Sequence, residues 1–154
     1  MRNLKKFLAL VMAMVMAFSL MLSASAANPV KTFDDAGNIT EQFVEAADVL
    51  TGMKVFQGDE GGFRPGDQIN RAEVAALIYR LATGDTGNDR KDLYKDYGNF
   101  TDVSSTDWFA GYVGYCANAG YIKGKTDTTF DPYAPVTGYE ALAMILRAVG
   151  YDKN

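Results

Sequence analysis

The sequence predicts an all-α fold made of two diverged helix–loop–helix repeats, and three observations carry that expectation. Short matches recur in the same order along the chain. Phe33-Asp34-Asp35 answers Phe100-Thr101-Asp102, and Val55-Phe56-Gln57-Gly58 answers Tyr121-Ile122-Lys123-Gly124. Phe63-Arg64-Pro65 answers Phe130-Asp131-Pro132, and Ile69-Asn70-Arg71-Ala72-Glu73 answers Val136-Thr137-Gly138-Tyr139-Glu140, all at offsets of 66 or 67. Such ordered self-similarity is the mark of a duplicated unit. The second observation is apolar residues at helical spacing behind capping residues. The third is that the segments between them are dense in turn formers.

The chain opens with Arg2, Lys5 and Lys6, then an apolar run of about 15 residues, then Ser23-Ala24-Ser25-Ala26. This is the layout of a secretory signal peptide cut after Ala26, and the run is shorter than the roughly 20 residues of a spanning helix. The expected organisation is a signal peptide over residues 1–26, a first repeat over 27–83, a linker over 84–98 and a second repeat over 99–154. In the first repeat, Asn38 and Glu41 have the spacing of a capping box. Ile39, Phe43, Ala46, Ala47 and Leu50 follow as one stripe. After a turn-rich loop, Asn70 and Glu73 form a second box, with Val74, Leu77, Ile78 and Leu81 as core. The linker, rich in Gly, Asp, Asn and Lys, reads as mobile with one helical turn. In the second repeat, Thr106 or Asp107 caps a helix running from about Trp108 to Ala119. Thr137 and Glu140 box the last helix, with Leu142, Ile145, Leu146 and Val149 facing inward and Gly150 as its stop.

Composition excludes several functions. The signal holds three of the 15 basic residues and none of the 19 acidic ones, so the exported part carries a net charge of −7. That surface repels nucleic acid and has no polybasic patch for a membrane once the signal is cut. There is no histidine and a single cysteine, Cys116. A His-dependent triad and a Cys/His zinc site are thereby excluded. Cys116 lies in an apolar helical stretch and reads as a small buried hydrophobe. Asp59, Glu60, Asp127 and Asp131 lack the alternating oxygen pattern of a calcium loop. No metal or cofactor is expected. No pair of acidic residues stands in a recognisable catalytic context, so no enzyme is expected either.

The second unit contains Phe100-Thr101-Asp102-Val103, Asp107-Trp108-Phe109-Ala110, Ala119-Gly120-Tyr121-Ile122-Lys123-Gly124 and Thr129-Phe130-Asp131-Pro132. Val136-Thr137 then precedes a helix ending in Arg147. Together these resemble an S-layer homology repeat. The run from Phe63 to Glu73 is similar to the same repeat, with Asn70 standing where the family's Thr-Arg-Ala-Glu signature has Thr. The resemblance implies non-covalent attachment of an exported protein to a bacterial cell wall. The implied ligand is a secondary cell-wall polysaccharide, often ending in a pyruvylated amino sugar. It also implies a pseudo-threefold bundle of three repeats with ligand grooves between neighbours, in which the signature Arg, here Arg71, contacts the acidic sugar. A guanidinium fork matches a carboxylate, and an exposed helix N-terminus favours an anion. Trp108 offers a stacking face, and Gly58 and Gly124 offer close backbone approach. Asn70 and Thr137 complete the candidate ligand-binding set.

Each unit lacks something. Gly138 replaces the signature Arg in the second, and Gln42 stands near the position of Trp108 in the first. One composite site using Arg71 and Trp108 is therefore expected between the units. With two repeats where three are usual, the chain is expected to form a homo-oligomer or to take a third repeat in trans. Alternative readings are a structural protein of a surface layer whose repeats bind another protein, or the anchoring fragment of a larger exported enzyme.

Overall fold

A computed structural model describes residues 33–60 and 62–151. The signal-peptide segment lies outside these residues. The fold is all-α, as expected, with four α-helices among the described residues: α1 (Glu41–Gly52), α2 (Arg71–Thr83), α3 (Ala110–Asn118) and α4 (Gly138–Ala148). Two 3₁₀ turns, Ala36–Asn38 and Lys91–Tyr94, precede α1 and α3.

Local chemistry sets the helix ends. Asn70 and Thr137 close capping boxes with Glu73 and Glu140, satisfying amides that the first turn leaves without intrahelical partners. Gly84 and Gly150 take positive φ just beyond α2 and α4, where a side chain would be strained. Two expected caps differ. α1 starts at Glu41 behind Thr40, with no side-chain cap, because residues 36–38 are already wound into a 3₁₀ turn that includes Asn38. α3 starts at Ala110 rather than near Trp108, because the Asp107 carboxylate is engaged upstream by the Ser104 amide at 2.7 Å.

The core lies between the units rather than within each. α2 packs on α3 and, less extensively, on α4. Ala72, Val74, Ala75, Ala76, Ile78 and Tyr79 of α2 are buried with Phe109, Tyr112, Val113 and Cys116 of the second unit. Tyr79 sits at the centre, edge-on to Tyr112 (5.3 Å between centroids) and Tyr115 (5.2 Å). Its hydroxyl donates to Asp85 at 2.6 Å, so burial of this polar group is matched by a strong acceptor. Burial and this bond push the Tyr79 pKa up, while the Tyr79 hydroxyl holds Asp85 below its ordinary value.

The segment joining the units holds the expected helical turn, but it is packed rather than loose. Asp85 accepts from the Asp89 and Arg90 amides, and Gln57 donates to the Thr86 carbonyl at 2.6 Å. The turn Lys91–Tyr94 then lies directly on α3, with Tyr94 against the core. Polar composition concealed this, because the packing partners are backbone and two glycines, Gly111 and Gly114.

The largest correction concerns α4. Leu142, Ile145, Leu146 and Val149 were expected to face inward, yet all four are exposed and Met144 is the buried residue. Phe43 of α1 and Leu81 of α2 are exposed as well. Helical periodicity identifies an apolar face without saying what covers it.

Cys116 is fully buried, its thiol 3.4 Å from the Ala75 carbonyl, and burial pushes its pKa up to about 12. Since the thiolate is the reactive form, native protein is expected to resist a thiol reagent and to label fully in denaturant. Rapid labelling under native conditions would contradict this packing.

Candidate functional site

Asp35 and Asp102, paired in the sequence comparison but given no role there, organise the two long loops identically. Asp35 accepts from the Phe63 and Arg64 amides at 2.8 and 2.6 Å. Asp102 accepts from Phe130 at 2.9 Å and Asp131 at 2.7 Å. The amides hold Asp35 below the ordinary carboxylate range. Burial works against the charge on Asp102, but its amides outweigh that and its pKa is also lowered. Each loop can then turn through a non-glycine residue at positive φ, Arg64 or Asp131.

The first loop forms one wall of a groove of about 660 Å³ between the units. Phe56, Gly58, Arg64 and Asn70 contribute from the first unit, and Trp108 and Tyr133 from the second. Trp108 is 47 % and Tyr133 66 % exposed, and both pack edge-on to the buried Phe109, at 5.4 and 5.5 Å. Two aromatic surfaces are thus fixed from beneath and open on the groove side. Opposite them, Arg64 is held by Glu73 at 2.9 Å, Asp59 at 3.2 Å and Asp67 at 3.6 Å. The Glu73 hydrogen bond, ahead of the neighbouring charges, raises its pKa.

Arg71 is placed differently. It is 3 % exposed, and its guanidinium donates to the Phe130 carbonyl from Nε and to the Lys123 carbonyl from Nη2, each at 2.7 Å. It also lies 4.6 Å over the Phe130 ring. Burial lowers its pKa, opposed by Glu140, Asp131 and Asp102, and the group stays charged. The amides of Arg71 and Ala72 donate to the Ala134 and Pro132 carbonyls, and Val136 donates back to Ile69. The first turn of α2 is therefore bound to the second unit's loop.

The structure brings Gly58, Asn70 and Trp108 to the groove and leaves Arg71, Gly124 and Thr137 beside the second loop. Asn70 and Thr137 are both occupied as caps. A Cβ on Gly58 would come within 2.5 Å of the Phe33 ring, and one on Gly124 would overlap the Thr126 carbonyl, so tight loops account for both glycines. Thr137 works with Glu140, whose carboxylate takes Lys125 at 2.6 Å and is drawn down to about 2, by Lys125 first and then by Thr137. Sequence reasoning missed Arg64 and Tyr133. Their signal was position, Arg64 directly after Phe63 and Tyr133 directly after Pro132, but Arg64 reads as part of a turn-rich loop and Tyr133 falls outside the motifs.

The model of the S-layer homology domain matches residues 32–75 and 99–142. The chain belongs to the S-layer homology domain family. It is a protein of the bacterial cell surface, and both family matches fall on the repeats described above. A surface layer protein of Brevibacillus choshinensis is 35 % identical over 98 % of this chain and 13 % of its own length. A middle cell wall protein of Brevibacillus brevis is 41 % identical over 56 % of this chain and 8 % of its own. A cellulosome-anchoring protein of Acetivibrio thermocellus is 32 % identical over 65 % of this chain and 22 % of its own. The chain thus spans less than a quarter of the length of these relatives. No solved structure matches the chain significantly.

Proposed function

We propose that this S-layer homology chain anchors itself, and whatever is joined to it, to the cell wall without covalent chemistry. In this reading the inter-unit groove binds a secondary cell-wall polysaccharide bearing an acidic, pyruvylated sugar. The observation that carries the reading is the groove's pairing of two exposed aromatic faces with a solvent-accessible guanidinium. Sugar rings stack on the faces of Trp108 and Tyr133, and their carboxylate takes Arg64. Exposed ion pairs are worth roughly 0–1 kcal/mol, so Arg64 exchanges one carboxylate partner for another at little cost. Arg71 contributes by holding the second loop, and Trp108 and Tyr133 are the residues contributed by the second unit. The relatives, which include a cellulosome-anchoring protein, accord with a non-catalytic attachment role.

Sedimentation with purified cell walls tests this. Trp108→Ala and Arg64→Ala are each expected to weaken binding by about tenfold, as for loss of one stacked or charge-assisted contact. Walls stripped of polysaccharide should no longer bring the protein down. Undiminished binding to stripped walls would favour a protein receptor and a surface-layer assembly role instead.

A further inference from the structure

The contact that joins the two units is repeated in the sequence but completed only once. Within the chain, the α2 face packs on α3, burying Ala72, Ala75, Ile78 and Tyr79 against Phe109, Val113 and Cys116. The offset of 67 maps those α2 positions onto Tyr139, Leu142, Ile145 and Leu146 of α4. The offset of 66 maps the α3 positions onto Phe43, Ala47 and Leu50 of α1. Ala75 is 0 % exposed and its counterpart Leu142 is 52 % exposed; Phe109 is 1 % exposed and its counterpart Phe43 is 57 % exposed, while Ala47 is already buried and Leu50 half-buried within the first unit. No described helix packs on α1.

The polar half of the joint is also unpaired. The Arg71 and Ala72 amides reach the Ala134 and Pro132 carbonyls. Among the described residues, their counterparts at the start of α4, the Gly138 and Tyr139 amides, reach no carbonyl. Among the described residues, the matching acceptors in the first loop, the Asp67 and Pro65 carbonyls, take no backbone donor. Charge agrees in sign. α1 carries Glu41, Glu45 and Asp48 and no basic residue, while Arg147 of α4 pairs with no carboxylate among the described residues.

We propose that α4 of one copy docks on α1 and the first loop of a second copy, reproducing between chains the joint that links the units within one chain. Two copies can make the contact reciprocally, α4 of each on α1 of the other, so that both exposed faces are covered. Such a pair is closed about a twofold axis and isologous, which limits assembly to two chains. Gly138 supplies no guanidinium for the Gln57 and Phe63 carbonyls, which correspond to the Lys123 and Phe130 carbonyls held by Arg71. The joint between copies is therefore looser than the one within the chain, and it dissociates on dilution.

Sedimentation velocity of the purified protein from low to high micromolar concentration is the test. Wild type is expected to shift from monomer to a two-chain species. Phe43→Asp and Leu142→Asp alter exposed side chains, so each should keep its helical circular dichroism and weaken self-association by about tenfold or more. Mixing the two variants is the decisive arm. The α4 face of the Phe43→Asp chain and the α1 face of the Leu142→Asp chain are both intact, so the mixture should recover a mixed pair through one joint. A wild-type monomer at every concentration would overturn the proposal. So would a Leu142→Asp defect without a Phe43→Asp defect and without recovery on mixing, which would mean that α4 packs on α4.

Discussion

Arg71→Ala is expected to lower the unfolding free energy by about 3 kcal/mol, a large share of the stability of a small domain. The guanidinium satisfies the Phe130 and Lys123 carbonyls across the unit boundary and covers the Phe130 ring. Truncation leaves both acceptors without that donor, at a cost of roughly 1–3 kcal/mol each when buried. The loss of ring contact adds about 1 kcal/mol. Part of this is offset, because the variant no longer desolvates a cation. Arg71→Lys should recover only a fraction, since an ammonium is a point charge without the planar fork that spans both carbonyls. Urea denaturation checks the prediction directly. An unchanged midpoint would mean that the guanidinium is not the clamp between the units and would return it to the groove as a ligand contact. A lower midpoint with wall binding retained in the folded fraction would establish a structural role.

That distinction also marks how far the sequence could be read. The repeat, two of the three expected capping boxes, the all-α class and the burial of Cys116 were legible because each depends on spacing along one chain segment. The position of Arg71 was not. Helix N-termini attract anions in general, but here the first turn of α2 faces the carbonyls of a loop about sixty residues away, and those carbonyls are the acceptors. Trp108 lines the groove at the boundary between units, while Arg64 in the same groove was hidden in a loop that reads as turn and Tyr133 stood outside the motifs. The exposed face of α4 was misread for a related reason. Amphipathic spacing in Leu142, Ile145 and Leu146 specifies a face to be covered, and the covering surface in this repeat is not supplied by the described residues of the same chain.

Gly111→Ala and Gly114→Ala should each destabilise by about 3 kcal/mol, at the upper end of overpacking effects, although alanine is the better helix former by about 1 kcal/mol. A methyl group at Gly111 would overlap the Lys91 carbonyl, and one at Gly114 would overlap the Tyr94 carbonyl. Both obstacles are backbone, so no rotamer change relieves them. The turn Lys91–Tyr94 must move off α3, taking Tyr94 away from Tyr79 and Tyr115. Gly138→Ala is the internal control. It places the same methyl at the start of another helix where nothing lies within 4 Å, and it should stabilise by about 0.5 kcal/mol. The double variant Gly111→Ala/Gly114→Ala should cost clearly less than the sum of its parts. Once the first methyl has displaced the turn, the second meets a carbonyl that has already withdrawn. Full additivity in urea midpoints would instead mean that the two contacts yield independently, and that the segment joining the repeats is not one rigid piece seated on α3.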